Sequence, residues 1–228
     1  MRTQGFESEA QLVKAIAASV TLARRRDYRL ELEVDAGVGI ADIVLTKRAP
    51  RSTEGLRALS CVSPRIAALL SPALSESINS RQELAACLGS SITAAQRVIT
   101  QMSAAGLMNK TRQSLTLTAV RTLPFEHLIA VEAKISDWQH VLVQAYRNLQ
   151  FADESWVVLD HMYIRPALAQ LERFKVAGVG LASVDRNRGL FVHLGPTSSG
   201  PVSLGKRWQA QAVLAARTMT RRNPSVAG

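Results

Sequence analysis

The stretch HLIAVEAKISDWQHVLVQAYRNLQFADESWVVLD, residues 127–160, changes its hydrophobic period twice. HLIAVEAKI (127–135) reads as a strand. DWQHVLVQAYRNLQFA (137–152) repeats Trp138, Leu142, Ala145, Leu149 and Ala152 at spacings of four and three, a helical stripe, and SWVVLD (155–160) returns to strand. A strand, a helix and a strand in so short a stretch commit the chain to an α/β architecture. Within the first strand Glu132 and Lys134 stand two apart and project to one face, while Val131, Ala133 and Ile135 take the other. Isolated charges are costly to bury, so such a pair is solvated, paired or holding a metal. A cross-strand salt bridge is one reading, and a catalytic pair is the other.

The remaining chain supplies matching elements. Residues 7–26 carry Leu12, Ala15, Ile16, Ala18, Val20 and Ala23 at helical spacing. YRLELEV (28–34) alternates with period two, and GIADIVLTK (39–47) is β-branched around one acid, Asp42; Gly37 and Gly39 between them suit a hairpin turn. Glu31, Glu33 and Asp35 share a strand face that reads as solvated. Beyond Pro166 come a helix, ALAQLERFKV, a hairpin of VGLASVD and GLFVHL, the loop TSSGPVSLG (197–205) and a basic helix, residues 206–222.

Residues 50–120 differ in texture, being rich in Ser, Ala, Leu and Arg and helical in period until SLTLTAV (114–120). Asp42 and Glu132 stand 90 positions apart, and setting residues 54–118 aside reduces that to about 25, a hairpin-scale link. The middle segment therefore reads as an insertion between neighbouring strands. The expected division is 1–53, first part of the core; 54–118, inserted module; 119–228, second part of the core with the basic C-terminal helix.

Lys plus Arg number 28 against 18 Asp plus Glu, giving a net charge of +10 and a pI near 10.4. That balance favours a polyanionic partner, nucleic acid first and an anionic membrane surface second. No apolar run approaches the roughly 20 residues of a bilayer span, and MRTQGFESEAQ lacks a signal-peptide core. A soluble, cytoplasmic protein with no membrane partner is expected. Cys61 and Cys87 have no ligand neighbours at zinc spacing and read as reduced core thiols, and the four histidines are dispersed.

Asp42 before a strand–helix–strand unit that carries Glu132, Ala133 and Lys134 resembles the signature of the PD-(D/E)XK, or restriction-endonuclease-like, nucleases. Ala41 stands where the name-giving proline often sits. The helix that follows resembles the glutamine-bearing helix of the RecB-like branch, with Gln144 at the matching position and Asn148 in place of a tyrosine. The resemblance covers residues 6–160 apart from the middle module. It implies an αβββαβ core, a mixed central sheet flanked by helices, and Mg²⁺ (or Mn²⁺) held by Asp42 and Glu132 to hydrolyse DNA phosphodiesters. Lys134 would orient the attacking water, and Glu9, heading the stripe of Val13, Ile16 and Val20, matches the further acid that many members carry on the first helix. A first-turn glutamate favoured by the helix dipole explains Glu9 equally well, and a boundary residue explains Gln144.

In the middle module, SRQELAACLGSSITAAQRVITQMSAAGLMNK (80–110) resembles the helix-turn-helix of winged-helix proteins, with Leu84, Ala85 and Leu88, then Ala95, Val98, Ile99 and Met102 turned inward. LMNKTRQSLTLT would form the wing, with Lys110 and Arg112 at its tip. Thr93, Gln96, Arg97, Thr100 and Gln101 face outward, and Arg and Gln make paired hydrogen bonds to base edges. DNA is the expected partner, while a protein partner or a homodimer through this module stays open. Two other functions suit the same elements: a DNA-binding or assembly protein on the nuclease fold without strong catalysis, and a transcription regulator with an appended α/β domain.

Overall fold

A computed structural model describes residues 5–22, 27–111, 114–197 and 200–222. Arg112 lies outside them. In chain order the elements are α1 (Glu9–Leu22), β1 (Tyr28–Asp35), β2 (Ile40–Arg48), α2 (Thr53–Ser60), a 3₁₀ helix (Pro64–Leu70), α3 (Pro72–Ser77), α4 (Arg81–Cys87), α5 (Ile92–Ala104), β3 (Met108–Lys110), β4 (Leu115–Leu117) and β5 (Phe125–Lys134). Then follow α6 (Trp138–Asn148), β6 (Glu154–Asp160), a 3₁₀ turn (His161–Tyr163), α7 (Arg165–Leu168), α8 (Leu171–Ala177), β7 (Gly180–Asp185), β8 (Gly189–Leu194) and α9 (Leu204–Arg222). Two compact units result: Met1–Arg48 with Phe125–Arg207, and Ala49–Pro124 with Trp208–Gly228.

The first unit is an α/β fold around a mixed six-stranded sheet of order β1-β2-β5-β6-β7-β8. β5 runs parallel to β6 and β6 to β7, while the other neighbours are antiparallel. Parallel neighbours need crossovers, which α6 and the α7–α8 pair supply. The turn from β1 to β2 uses Gly37 (φ 77°) and Gly39 (φ 138°), conformations that cost glycine little, and the Gly37 N–H donates to Asp35 Oδ1 at 2.8 Å.

Strand alternation divides the core in two. Ile43, Leu45, Ile129, Val131, Ala133 and Val158 pack with Phe6, Leu12 and Ile16 on the α1 side, whereas Val157, Leu159 and Leu181 pack with Val141, Ala145, Leu149 and Phe174 on the other. Glu132, opposite Val157, belongs to the second side. β5 and β6 are also tied at their starts. The buried Arg207 pairs with Asp153 at 2.7 Å and donates to the carbonyls of Phe151 (3.0 Å) and Glu126 (3.2 Å), while Asp153 Oδ2 accepts from the Leu128 N–H at 2.7 Å.

Trp156 lies flat over Gly180, its partner across β6 and β7, where a Cβ would come within 2.5 Å of the indole ring. Gly180→Ala should therefore cost ~1–3 kcal/mol through overpacking. Urea unfolding measures this, and an unchanged midpoint would show that the indole shifts freely.

The insertion falls at β2 and β5, which are antiparallel neighbours with Arg48 opposite Phe125. In the second unit the Ala49 N–H donates to the Pro124 carbonyl at 3.0 Å. α4 starts with a capping box, Ser80 with Glu83, and the Ser91 hydroxyl accepts from the Ala94 N–H at 3.2 Å to start α5. Gly89 (φ 57°) turns the chain between them, and β3 pairs with β4. Leu84, Ala85, Ala95, Ile99 and Met102 are buried, while Leu88 and Val98 are half-buried.

Several expectations are corrected. The unit boundaries lie at 48/49 and 124/125 rather than 53/54 and 118/119, and α9 leaves the first unit after Arg207 instead of belonging to it throughout. The helix after Pro166 is two helices, because Ala169 and Gln170 interrupt it. Cys61 and Cys87 are exposed, not core: Cys61 caps the C-terminus of α2, and Cys87 lies off the Leu84–Ala85 face of α4. Glu31 is buried rather than solvated, since it pairs with buried Val44 on the covered side of β2. Among the described residues no helix is long and apolar enough to cross a membrane.

Candidate active site

Asp42 and Glu132 come together because β2 and β5 are antiparallel. Ile43 pairs with Val131, so Asp42 and Glu132 fall at the next position on one sheet face. Asp42 Oδ2 accepts the Ala133 N–H at 2.8 Å. Glu132 is buried, and its Oε1 accepts from Asn148 Nδ2 at 2.6 Å. Lys134, at the end of β5, meets Glu9 of α1 with Nζ 2.6 Å from Oε2.

These groups perturb one another. Burial is the main force raising Glu132 to about 7, aided by Asp42 and opposed by Asn148 and Lys134. Asp42 is also raised, chiefly by burial, with the Ala133 N–H and Lys134 pulling it down and Glu9 and Glu33 adding to the rise. Lys134 is raised above the ordinary lysine value, first by its hydrogen bond to Glu9, and by the charges of Glu9, Asp42 and Glu132. Two carboxylates thus hold protons more tightly than usual beside an ammonium that keeps its own.

Two neighbours of this site, Asn148 and Glu33, were noticed in the sequence but not given the places they take here. The buried centre of α6 is Val141, Ala145 and Asn148, with Trp138 and Leu142 at its margin, so the helix is turned relative to the expected stripe. Asn148 faces inward because Glu132 is there to receive its amide. A polar residue four positions from Gln144 and seven from Val141 was the available signal. Glu33 holds a left-handed φ of 50°, and the β1–β2 register passes over it between Leu32 and Val34, close enough to Asp42 for its charge to be felt. Such a conformation costs on the order of 1–3 kcal/mol for a residue with a Cβ. Gln144 is half-buried with its Oε1 wholly buried and unpartnered, and makes no hydrogen bond to Asp42, Glu132 or Lys134.

The donors suit a hard divalent cation: two oxygen ligands on neighbouring strands, each raised by burial, whose protons a cation would displace. Among the described residues no group of three or more His, Cys, Asp or Glu is gathered to hold a metal. Two carboxylates leave the remaining positions to water and substrate, as Mg²⁺ commonly allows.

The residues read as DNA contacts all lie in the second unit. Thr93, Arg97 and Gln101 on α5 and Lys110 at the end of β3 are exposed, and Gln96 is half-buried. No protein-family model matches the chain, and no curated protein and no solved structure matches it.

Proposed function

We infer that the first unit is a metal-dependent nuclease domain with a restriction-endonuclease-like core, and that the second is a winged helix that engages DNA. The observation that carries this reading is the pairing of Asp42 and Glu132 across β2 and β5, both with raised proton affinity, beside Lys134. Asp42 and Glu132 would hold Mg²⁺ or Mn²⁺, which when bound polarises a phosphoryl oxygen and acidifies a water. Lys134 stays protonated through Glu9, so its part is electrostatic: it orients the water and offsets charge on the phosphate rather than acting as base. Asn148 fixes the Glu132 carboxylate and leaves its second oxygen to the ligand. In the second unit Arg97, Gln101 and Lys110 are the exposed groups suited to phosphates and base edges.

Nicking of supercoiled plasmid by the purified protein is the test. It should require Mg²⁺ or Mn²⁺ and stop with chelator. With Glu132 at about 7, proton and cation compete, so the Mg²⁺ needed for half-maximal nicking should rise roughly tenfold per pH unit below 7. Undiminished nicking in excess chelator, with contamination excluded, rules the mechanism out. One observation favours a second reading. Lys134 is already paired with Glu9 at 2.6 Å, as in a structural ion pair, which suits a DNA-binding or assembly protein that keeps the fold without cleaving. Mg²⁺-independent DNA binding without nicking is the result that reading predicts.

A further inference from the structure

His161, Ser183 and His193 are far apart in sequence and meet at one point. The buried Ser183 hydroxyl lies 2.8 Å from His161 Nδ1 and 2.8 Å from His193 Nε2, with the two rings 6.4 Å apart and near parallel. A hydroxyl has one proton, so Ser183 donates to only one imidazole and accepts from the other. Burial, with His161 alongside, holds His193 below the ordinary imidazole value. If Ser183 donates to His193, the neutral His193 carries its proton on Nδ1. If Ser183 donates to His161, His161 carries its proton on Nε2. Either arrangement leaves an N–H donor on a far nitrogen. Among the described residues neither far nitrogen has a protein partner, and both histidines are half-buried.

The cluster's position relates it to the carboxylate site. Lys134 pairs with Leu159, and Leu159 with Ser183, so the three form one row across β5, β6 and β7 and face the same side of the sheet. With strands ~4.8 Å apart, Ser183 lies roughly 10 Å from Lys134 along the C-terminal edge of the parallel strands. That edge is where open α/β sheets bind ligands. Two arginines stand in the β7–β8 turn, each also paired with an acid, Arg188 with Asp185 at 3.1 Å and Arg186 with Glu7 at 3.9 Å. Arg188 lies over the Phe191 ring (5.4 Å), which packs on His161 (4.9 Å), and Arg186 lies over Phe6 (5.1 Å). The nearby acids are occupied. Asp160 accepts from the Phe6 and Met162 N–H groups, Asp185 holds Asn187 and Arg188, and Glu7 pairs with Arg186 at 3.9 Å. Met162 and Tyr163, next to His161, are large apolar side chains left exposed.

We propose that His161, Ser183 and His193 form a phosphate subsite that binds a backbone phosphodiester of the same nucleic-acid strand, one or two nucleotides from the group held at Asp42 and Glu132. It rests on the nuclease reading and extends it, assigning substrate positioning to a cluster outside the carboxylate site. The Ser183 hydroxyl donates to His161 Nδ1 and so keeps that ring's proton on Nε2, and this outward N–H donates to a phosphate oxygen.

The test uses the full chain and a fluorescent DNA duplex, with Ca²⁺ replacing Mg²⁺ to suppress cleavage. After the wild-type cleavage position is mapped, single phosphates flanking it are replaced by neutral methylphosphonates. Wild type should lose affinity roughly tenfold at one flanking position, the scale of a hydrogen bond to a charged group. His161→Ala should bind the intact duplex about tenfold more weakly and be indifferent to that same methylphosphonate. His161→Phe keeps the packing on Phe191 and should behave alike, which separates lost nitrogens from lost fold. If the variants bind the intact duplex as wild type does, or lose the same factor as wild type at every position, the subsite is wrong while the nuclease reading stands. If wild type neither binds nor cleaves the duplex, both readings fall.

Discussion

Glu132→Gln should lower metal-dependent DNA cleavage by roughly a thousandfold and, at the same time, stabilise the folded protein at pH 8. The activity loss follows from removing one of two anionic oxygen ligands, a loss of about 4 kcal/mol in the transition state. The stability gain follows from proton linkage. Glu132 is raised from an ordinary 4.5 to about 7 by burial, so between those values the folded state holds a proton that the unfolded state releases. Its contribution is favourable below about 4.5 and is lost as the pH rises through about 7. The rise from 4.5 to about 7 amounts to ~3 kcal/mol. Gln keeps the carbonyl oxygen that accepts from Asn148 and carries no charge to desolvate. Urea unfolding of wild type and variant should agree near pH 4.5 and diverge by pH 8, with the variant more stable. Saturating Mg²⁺ should narrow the gap at pH 8 by stabilising wild type alone. Equal cleavage by both proteins shows that Glu132 holds no cation, and a variant less stable at pH 8 shows that its charged form is compensated in the folded state.

The same residues mark how far the sequence could be read. Glu132 and Lys134 drew notice because two charges on one strand face demand an explanation, whereas Asp42 was joined to them only through the resemblance to a nuclease signature. The neighbourhood of β2 and β5 was legible from the length of the intervening module. What stayed hidden depends on register and rotation between elements. The turn of α6 that brings Asn148 onto Glu132, the burial of Glu31 opposite Val44, and the meeting of His161 with His193 at Ser183 each require knowing which strand lies beside which. Periodicity sets how a helix repeats but leaves its facing direction to the polar partners it finds. The β7–β8 hairpin was legible, but its register and the placing of β6 beside β7, which bring the two histidines to one hydroxyl, were not.

Excising the second unit should separate cleavage from affinity. Arg48 and Phe125 are opposed on neighbouring antiparallel strands, so a short Gly and Ser linker in place of Ala49–Pro124 turns β2 and β5 into a hairpin. Loop-closure entropy changes only slowly with length, and shortening the connection should not oppose folding. The excision has to extend to the C-terminus. From Trp208 onward α9 belongs to the second unit, and Ala210, Leu214 and Ala215, buried in the whole protein, would otherwise lose their cover. Ending the chain after Arg207 keeps the ion pair with Asp153. Asp42, Glu132, Lys134, Glu9 and Asn148 all remain, so Mg²⁺-dependent nicking should persist at high protein concentration. DNA affinity should fall, and the slope of log affinity against log salt should flatten by about 0.9 for each phosphate contact removed, or about 2 if Arg97 and Lys110 each meet one. Arg97→Ala in the full chain assigns its share: a uniform loss over all sequences marks a phosphate contact, whereas ~1–3 kcal/mol at one base pair marks a base edge. If affinity and salt slope are the same with and without the second unit, α5 and the β3–β4 hairpin do not read nucleic acid. Their exposed face then belongs to a protein partner.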